Sequence, residues 1–343
     1  MTTTATLDPP VRQWLAERLE VAPDELGASP LTASGDSNLM FELVAGGRRW
    51  VLRSPPSVKN DRSAHDLLRE YRMLVALEPT PVPTPHAVVA CEDPTVLGAP
   101  FYVMEHIKGF SPSDPLPERW TESRSRRELG TCAAEALAGI ARVDWRGAGL
   151  DGFGRPDGFL DRQVPRWLRQ FESYKVRELS GLYDVAHWLE DHQPPPAEPA
   201  ILHGDFHLRN VMYADDPPAR VVAIVDWEMS TIGDPLLDLG TLLATWSQPG
   251  EEVFMNGSAT QYPGMASRAE LVAAYEHAGG RSLEHIDYYM ALALFKLACI
   301  LEGSYSRLRA GHSEHAGHRN YETLVPMIVN RAVAITTGAW GVG

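Results

Sequence analysis

The chain is short of several things, and each shortage closes off a class of protein. Its 343 residues include three cysteines, Cys91, Cys132 and Cys299. They are odd in number, far apart and form no C-x-x-C pair, which argues against a disulfide framework and a thiolate zinc site and suits a reducing compartment. Basic residues are outnumbered, 31 Lys and Arg against 45 Asp and Glu, for a net charge of −14. Nucleic acid is therefore not an expected partner, because binding its backbone draws on Lys and Arg to neutralise phosphates. Long apolar runs are missing as well. The most apolar stretch, Tyr289 to Leu301, encloses Lys296 and falls short of the ~20 residues a bilayer span requires. It reads as a buried core helix, and no membrane association is expected. The opening MTTTATLDPPVRQW lacks a basic segment followed by an apolar one, so no signal peptide is expected either, and the predicted location is cytoplasmic.

What is present is an ordinary globular composition, 44% hydrophobic and 22% charged, of a length suited to two structural units. An opening helix is predicted over Pro9–Val21, with Asp8 before Pro9 as its start signal. Two β-rich runs, Asn38–Val44 and Arg49–Arg53, flank an Ala-Gly-Gly turn and read as a hairpin. A helix follows over His65–Leu77, with Leu67, Leu68, Tyr71, Leu74 and Val75 as its expected face. The connector Pro79–Pro85 reads as extended, since its prolines remove N–H donors and restrict their neighbours. Strands are expected at His86–Cys91 and Phe101–His106. Helices are expected at Arg126–Val143, Gln163–Glu190, Arg268–Ala278 and Ile286–Arg309. A small strand-rich unit, residues 1–105, thus precedes a larger helical one, residues 106–343, with a hinge near Glu105–Gly109.

The acid is unevenly placed: Asp184 to Glu252 holds 13 acidic and 2 basic residues. That pattern fits a solvated acidic face, or a metal site or cation-binding cleft. The same region holds the chemistry-bearing stretch, ILHGDFHLRNVMYADDPPARVVAIVDWEMSTIGDPLLDLG, Ile201 to Gly240. Asp205 and Asn210 lie five apart on what must be a loop, because Gly204 and the polar run interrupt both periodicities. Val221–Val225 reads as a buried strand ending at Asp226. A carboxylate there, with Asp and Asn on a loop, suits Mg²⁺, which takes one or two protein carboxylates plus substrate phosphates. Asp205 would then be free to orient and deprotonate a hydroxyl, the H-x-D-x-x-x-x-N arrangement of phosphoryl transfer. Other readings exist. Asp205 and Asn210 are both good turn formers, and His203, Asp205 and His207 form an H-x-D-x-H that would suit a two-metal hydrolase. No further Cys/His cluster accompanies the latter, and Phe206 and Leu208 read as inward packing residues. His203 reads as a brace for the loop, as do Asp234 and Asp238 at the start of a helix. Asp151-Gly152-Phe153-Gly154 mimics a D-F-G, but it follows no strand and is taken as a decoy.

His203-Gly204-Asp205-Phe206-His207-Leu208-Arg209-Asn210, followed by Ile224-Val225-Asp226-Trp227-Glu228, resembles the aminoglycoside phosphotransferase and choline kinase group of protein-kinase-like enzymes. More narrowly, the chain resembles the branch related to kinase domains fused to acyl-CoA dehydrogenases. Ser34–Asn38, Trp50–Arg53, Gly152–Trp167, Gly233–Leu239 and Phe295–Arg307 extend the likeness over nearly the whole chain. The resemblance implies an α+β, protein-kinase-like two-lobed fold: a small antiparallel-sheet lobe with one packed helix, then a larger, mainly helical lobe. It implies ATP and Mg²⁺ as cofactors and a small-molecule hydroxyl as acceptor. Residue by residue, Asp205 would be the base, and Asn210 and Asp226 the Mg²⁺ ligands. Arg53, paired with Glu70, would touch the phosphates. Ser37 and Asn38 would sit in the nucleotide loop, and the backbone of Met104, Glu105 and His106 would bind adenine. Trp167, Trp227, Tyr288, Glu302 and Tyr305 are candidates for the acceptor site, a hydroxy-acyl compound or an aminoglycoside-like amino sugar being the two acceptor classes. Two features depart from the family pattern: Arg53 replaces the usual Lys, and the nucleotide loop has one glycine, Gly35. These keep open an alternative, a nucleotide-binding kinase-like module with weak or no transfer activity.

Overall fold

The computed structural model describes residues 7–31, 39–55, 61–113, 115–253, 257–311 and 319–342. Ser37 and Asn38 of the expected nucleotide loop lie outside the described residues. The chain forms two compact units. One comprises Met1–Lys108 together with Val222–Ser230, the other Gly109–Val221 with Thr231–Gly343.

In the first unit α1 (Pro9–Leu19) leads into β1 (Gly27–Leu31), β2 (Leu39–Ala45) and β3 (Arg48–Ser54). Then come α2 (Asp61–Leu77), β4 (Ala87–Cys91), a short α3 (Pro94–Leu97) and β5 (Phe101–Glu105). The strands build one antiparallel sheet in the order β1-β2-β3-β5-β4. The expected hairpin is β2–β3, with Gly46 and Gly47 at φ 55° and 79°, the left-handed pair that a two-residue turn matched to strand twist demands. Period-2 alternation sorts the side chains. Leu43, Trp50, Leu52, Phe101 and Val103 pack with Val11, Leu15 and Leu19 of α1, so Arg53 and Tyr102, each one residue out of phase, belong to the opposite face. Tyr102 meets Tyr71 of α2 there, ring centroids 5.8 Å apart.

β1 was not anticipated. Its sequence, Gly-Ala-Ser-Pro-Leu, has no apolar alternation, and it lies at the sheet edge, where Pro30 is tolerated. The buried face of α2 is also shifted: Leu67, Glu70, Met73, Leu74 and Leu77 are buried, whereas Val75 is 43% exposed. The proline-rich connector carries no helix or strand from residue 78 to 86, and the Pro83 carbonyl accepts the Ile224 N–H at 2.8 Å.

The second unit is mainly helical. It holds α4 (Ser123–Ile140), α5 (Gln163–Tyr174), α6 (Leu182–Asp191) and the short strands β6 (Ala200–Leu202) and β7 (Val211–Tyr213). β8 (Val221–Ile224) carries the chain into the 222–230 segment of the first unit, after which come β9 (Thr231–Gly233), α7 (Leu236–Thr245), α8 (Arg268–His277), α9 (Ile286–Arg309) and α10 (Tyr321–Thr336). β6 pairs antiparallel with β9. α9 keeps the predicted bounds and is buried all round from Tyr288 to Phe295, as a helix through a core must be.

Three expectations change. The helix predicted over Gln163–Glu190 is broken: the backbone leaves the helical region at Lys175, and Gly181, at φ 85°, caps α6. A helix unseen in the pattern, α10, forms despite Pro326 in its interior, burying Val325, Ile328, Val329, Ala332 and Ile335, so tertiary packing outweighs the lost backbone hydrogen bond. β8 has only Ala223 and Ile224 fully buried, so Asp226 follows a half-buried strand.

α7 and α9 approach closely at Gly240, where an added Cβ would lie 2.5 Å from the Tyr289 carbonyl carbon. Gly240→Ala is expected to cost about 1–3 kcal/mol through overpacking. Gly139→Ala in α4, with no atom within 4 Å of the added methyl, should instead be neutral or stabilising by up to about 1 kcal/mol. Thermal melts of both variants check the contrast.

Candidate active site

In the first unit, β3 and α2 bring a cation and an acid together out of water. Arg53 Nη1 donates to Glu70 Oε1 at 2.5 Å, with the side chains 7% and 2% exposed. The other end of the guanidinium reaches the returning segment. Nη2 donates to Asp226 Oδ1 at 2.6 Å and to Glu228 Oε2 at 3.3 Å. The segment is anchored by its backbone and by Trp227. The Trp227 N–H donates to Glu70 Oε1 at 3.1 Å, its indole donates to the Ile224 carbonyl at 2.8 Å, and Arg69 bonds the Ser230 carbonyl. Asp226 itself is left-handed, φ 69°, a conformation costly for a non-glycine residue and concentrated at functional positions.

The electrostatics follow from the count: one guanidinium faces three carboxylates. Burial, reinforced by the neighbouring Asp226 and Glu228, pushes the Glu70 carboxyl up to about 7 against the pull of Arg53. Asp226 and Glu228 keep about a third of their side-chain surface, 34% and 29%. An all-oxygen donor set with surplus negative charge suits a hard cation such as Mg²⁺ rather than a thiophilic one. Among the described residues no group of three or more His, Cys, Asp or Glu side chains is arranged to hold a metal by itself.

In the second unit the loop from His203 to Asn210 follows β6 and is gripped almost entirely by its backbone. Asp238, in the first turn of α7, accepts the N–H groups of His203 at 2.6 Å and Gly204 at 2.9 Å. Gly204 takes φ 84°, and the next N–H, that of Asp205, donates to His203 Nδ1 at 3.3 Å. Lys296, from the middle of α9, donates to the Gly204 carbonyl. Asn210 Nδ2 donates to the Asp205 carbonyl at 3.0 Å, which leaves its amide oxygen as the atom suited to a cation. Phe206 and Leu208 point inward with no exposed surface. The Asp205 carboxylate is 32% exposed and lies 3.5 Å from His207 Nε2. Burial alone would raise its pKa, but His207, Lys296 and His203 together hold it well below the usual carboxylate range. Asp234 accepts from the Tyr289 hydroxyl at 2.6 Å and from the Leu236 N–H. Asp238 and His203 thus brace the loop as expected, whereas Asp234 ties the start of α7 to α9 instead.

The other sequence candidates are placed as follows. Glu105 closes β5, its N–H donating to the His86 carbonyl, and the His106 N–H donates to the Arg49 carbonyl. Met104 pairs with Val51 of β3. Trp227 has no exposed surface and belongs to the first unit, whereas its four companions belong to the second. Glu302, likewise without exposed surface, accepts a forked pair from Arg177, which stacks on the Tyr305 ring. Trp167 and Tyr288 are buried to within 4%. In this structure these five act as packing and anchoring groups. Lys296 was not among the candidates. Its signal is a lone charge inside the apolar stretch Tyr289–Leu301.

Comparison with known proteins bears on these arrangements. Residues 30–271 match the model of the phosphotransferase enzyme family. The chain is 33% identical over 312 residues to acyl-CoA dehydrogenase family member 11 of Gallus gallus, covering 89% of this chain and 40% of that one. It is 32% identical to acyl-CoA dehydrogenase family member 10 of Mus musculus, covering 82% and 27%. The chain thus spans less than half the length of these relatives. Among solved structures, a protein assigned as an aminoglycoside phosphotransferase from Ralstonia eutropha JMP134 superimposes with a TM-score of 0.76 at 27% identity, over 96% of this chain and 99% of that one. An aminoglycoside phosphotransferase, APH(4)-Ia, in ternary complex with ADP and hygromycin B shares the fold at 15% identity, TM-score 0.60, over 96% and 99% of the two chains. With a family match over most of its length and this α+β, kinase-like fold, the chain belongs to the phosphotransferase enzyme family.

Proposed function

We propose that the protein transfers the γ-phosphate of ATP to a hydroxyl of a small molecule, with Asp205 as the base. The observation that carries this reading is the loop at Asp205: four groups, Asp238, Lys296, His203 and Asn210, hold its backbone while its carboxylate keeps solvent access and stays ionised. A carboxylate so placed orients the acceptor hydroxyl and takes its proton as the O–P bond forms, the role a phosphoryl-transfer base requires. Asn210 and Asp226 would hold Mg²⁺, which neutralises charge on the phosphates when bound. Arg53, aimed by Glu70, would contact the same phosphates with the planar fork that distinguishes it from lysine. The backbone near Met104, Glu105 and His106 would receive adenine, and Ser37 and Asn38 would sit in the nucleotide loop.

For the acceptor, we favour a hydroxy-acyl compound over an amino sugar. The names of the acyl-CoA dehydrogenase relatives point that way. The test is a transfer assay with γ-labelled ATP and Mg²⁺, comparing wild type with Asp205→Ala. The acceptors are a fractionated metabolite extract, a defined hydroxy-acyl thioester and an aminoglycoside. Label entering an acceptor only with wild type supports the kinase, and the fraction assigns the acceptor class. Mg-ATP binding without transfer to any acceptor would favour the nucleotide-binding module.

A further inference from the structure

A lysine inside an apolar helix needs a reason. Lys296 lies between Phe295, which is buried, and Ala298 and Cys299, which have no exposed surface. A methionine or leucine would satisfy the packing of α9 without desolvating an ammonium. Instead the side chain runs to the Gly204 carbonyl. That oxygen belongs to the peptide whose N–H is that of Asp205, and this N–H is held by His203. The preceding N–H groups, of His203 and Gly204, go to Asp238. Asp238 thus fixes one peptide edge from α7, and Lys296 fixes the next from α9. The charged groups acting on Lys296 are Asp205 and Asp238, which favour its cation, and Arg166, which opposes it. The Trp167 ring stands 5.9 Å from the ammonium.

We infer that Lys296 is a positioning residue for phosphoryl transfer: by holding the Gly204 carbonyl it sets the tilt of the Gly204–Asp205 peptide and with it the direction of the Asp205 carboxylate. This rests on the reading of Asp205 as the base. Without the ammonium, that peptide keeps its N–H contact and loses its carbonyl contact, so it can rock about the chain axis. A displacement of about 1 Å at a catalytic group costs on the order of 100-fold in rate. Nucleotide affinity should not change, because Lys296 grips the loop and not the nucleotide.

The experiment measures Mg-ATP turnover, with water as the default acceptor, together with thermal midpoints, in wild type, Lys296→Met, Lys296→Arg and Asp205→Ala. The inference expects Lys296→Met to lower kcat about 100-fold with KM for ATP within twofold of wild type and an unchanged midpoint. Lys296→Arg, whose guanidinium can still reach a carbonyl, should recover most of kcat. Should Lys296→Met not fold, Lys296→Gln, which keeps a donor and loses the charge, takes its place under the same criterion. Wild-type kcat in Lys296→Met, or a loss that Arg does not relieve, overturns the inference while a dead Asp205→Ala leaves the base assignment standing. Full turnover in Asp205→Ala overturns the base assignment itself, and the inference falls with it.

Discussion

Asp205→Asn should bind Mg-ATP as tightly as wild type and turn it over about 10²–10⁴-fold more slowly, the usual worth of a positioned general base. The variant should fold, because the loop is held through backbone atoms: Asp238, Lys296, His203 and Asn210 all bond peptide groups of residues 203–205. What changes is the carboxylate alone, replaced by an amide that cannot take a proton. The companion variant is Asp226→Asn, chosen over alanine because asparagine tolerates the left-handed backbone that Asp226 adopts. It removes one charge from the cluster around Arg53 while Glu70 and Glu228 remain as partners. Metal-dependent nucleotide affinity should collapse in this variant and persist in Asp205→Asn. Titration calorimetry with ATP, with and without Mg²⁺, separates the two. Equal affinity in wild type and the Asp226 variant would remove Asp226 from the metal site.

Arg177→Met should lower stability by about 3–5 kcal/mol, the cost of stranding a buried charge. Arg177 lies in the break between α5 and α6 and ties it to two other elements. Its Nε and Nη2 fork onto both oxygens of Glu302 at 2.7–3.1 Å, and Nη1 and Nη2 donate to the Glu322 and Tyr321 carbonyls at the start of α10. Glu302 has no exposed surface, whereas Arg177 retains 22% of its side-chain surface. The two halves of the pair are therefore unequal. Removing Arg177 leaves an anion with no water and no counter-charge, while removing Glu302 leaves a cation that reaches solvent. Arg177→Met should accordingly be the more damaging single change, lowering the thermal midpoint by roughly 6–20 °C in a unit of this size. The double variant Arg177→Met/Glu302→Leu should recover much of the loss, since an apolar replacement of both partners leaves nothing unpaired. Circular dichroism melts decide it: a loss below about 1 kcal/mol in the single variant would mean that the pair is solvated.

The sequence was informative wherever one local signal governed. Ile286–Arg309 is a helix at its predicted bounds because its apolar run has no competing breaker. Gly46-Gly47 makes the β2–β3 turn because little else adopts two left-handed residues in succession. Arg53 and Glu70 meet as expected, since a strand period and a helix period each put one charge on the shared face. It was uninformative where a distant partner decides. Pro30 lies in a strand because that strand is at an edge, and Pro326 lies in a helix because the packing of α10 outweighs it. Glu302 and Tyr305 read as ligand contacts until Arg177, 125 residues before Glu302, is seen to engage both. Lys296 shows the same limit from the other side: the lone charge was visible in the sequence, but its target, 92 residues earlier, was not.

The assignment of Val222–Ser230 to the first unit has a consequence for how the protein is made. Domains generally fold as they emerge during synthesis, the N-terminal one first. Here the piece ending at Lys108 lacks Asp226, Trp227 and Glu228, so Arg53 and Glu70 must wait for a segment translated more than a hundred residues later to complete their network. A nascent chain paused before residue 222 therefore holds an unfinished first unit and no more than half of the second. The same topology means that a gene fragment cut at the obvious boundary would encode a sheet and helices with Glu70 but without Asp226 and Glu228, two of the three carboxylates around its buried arginine.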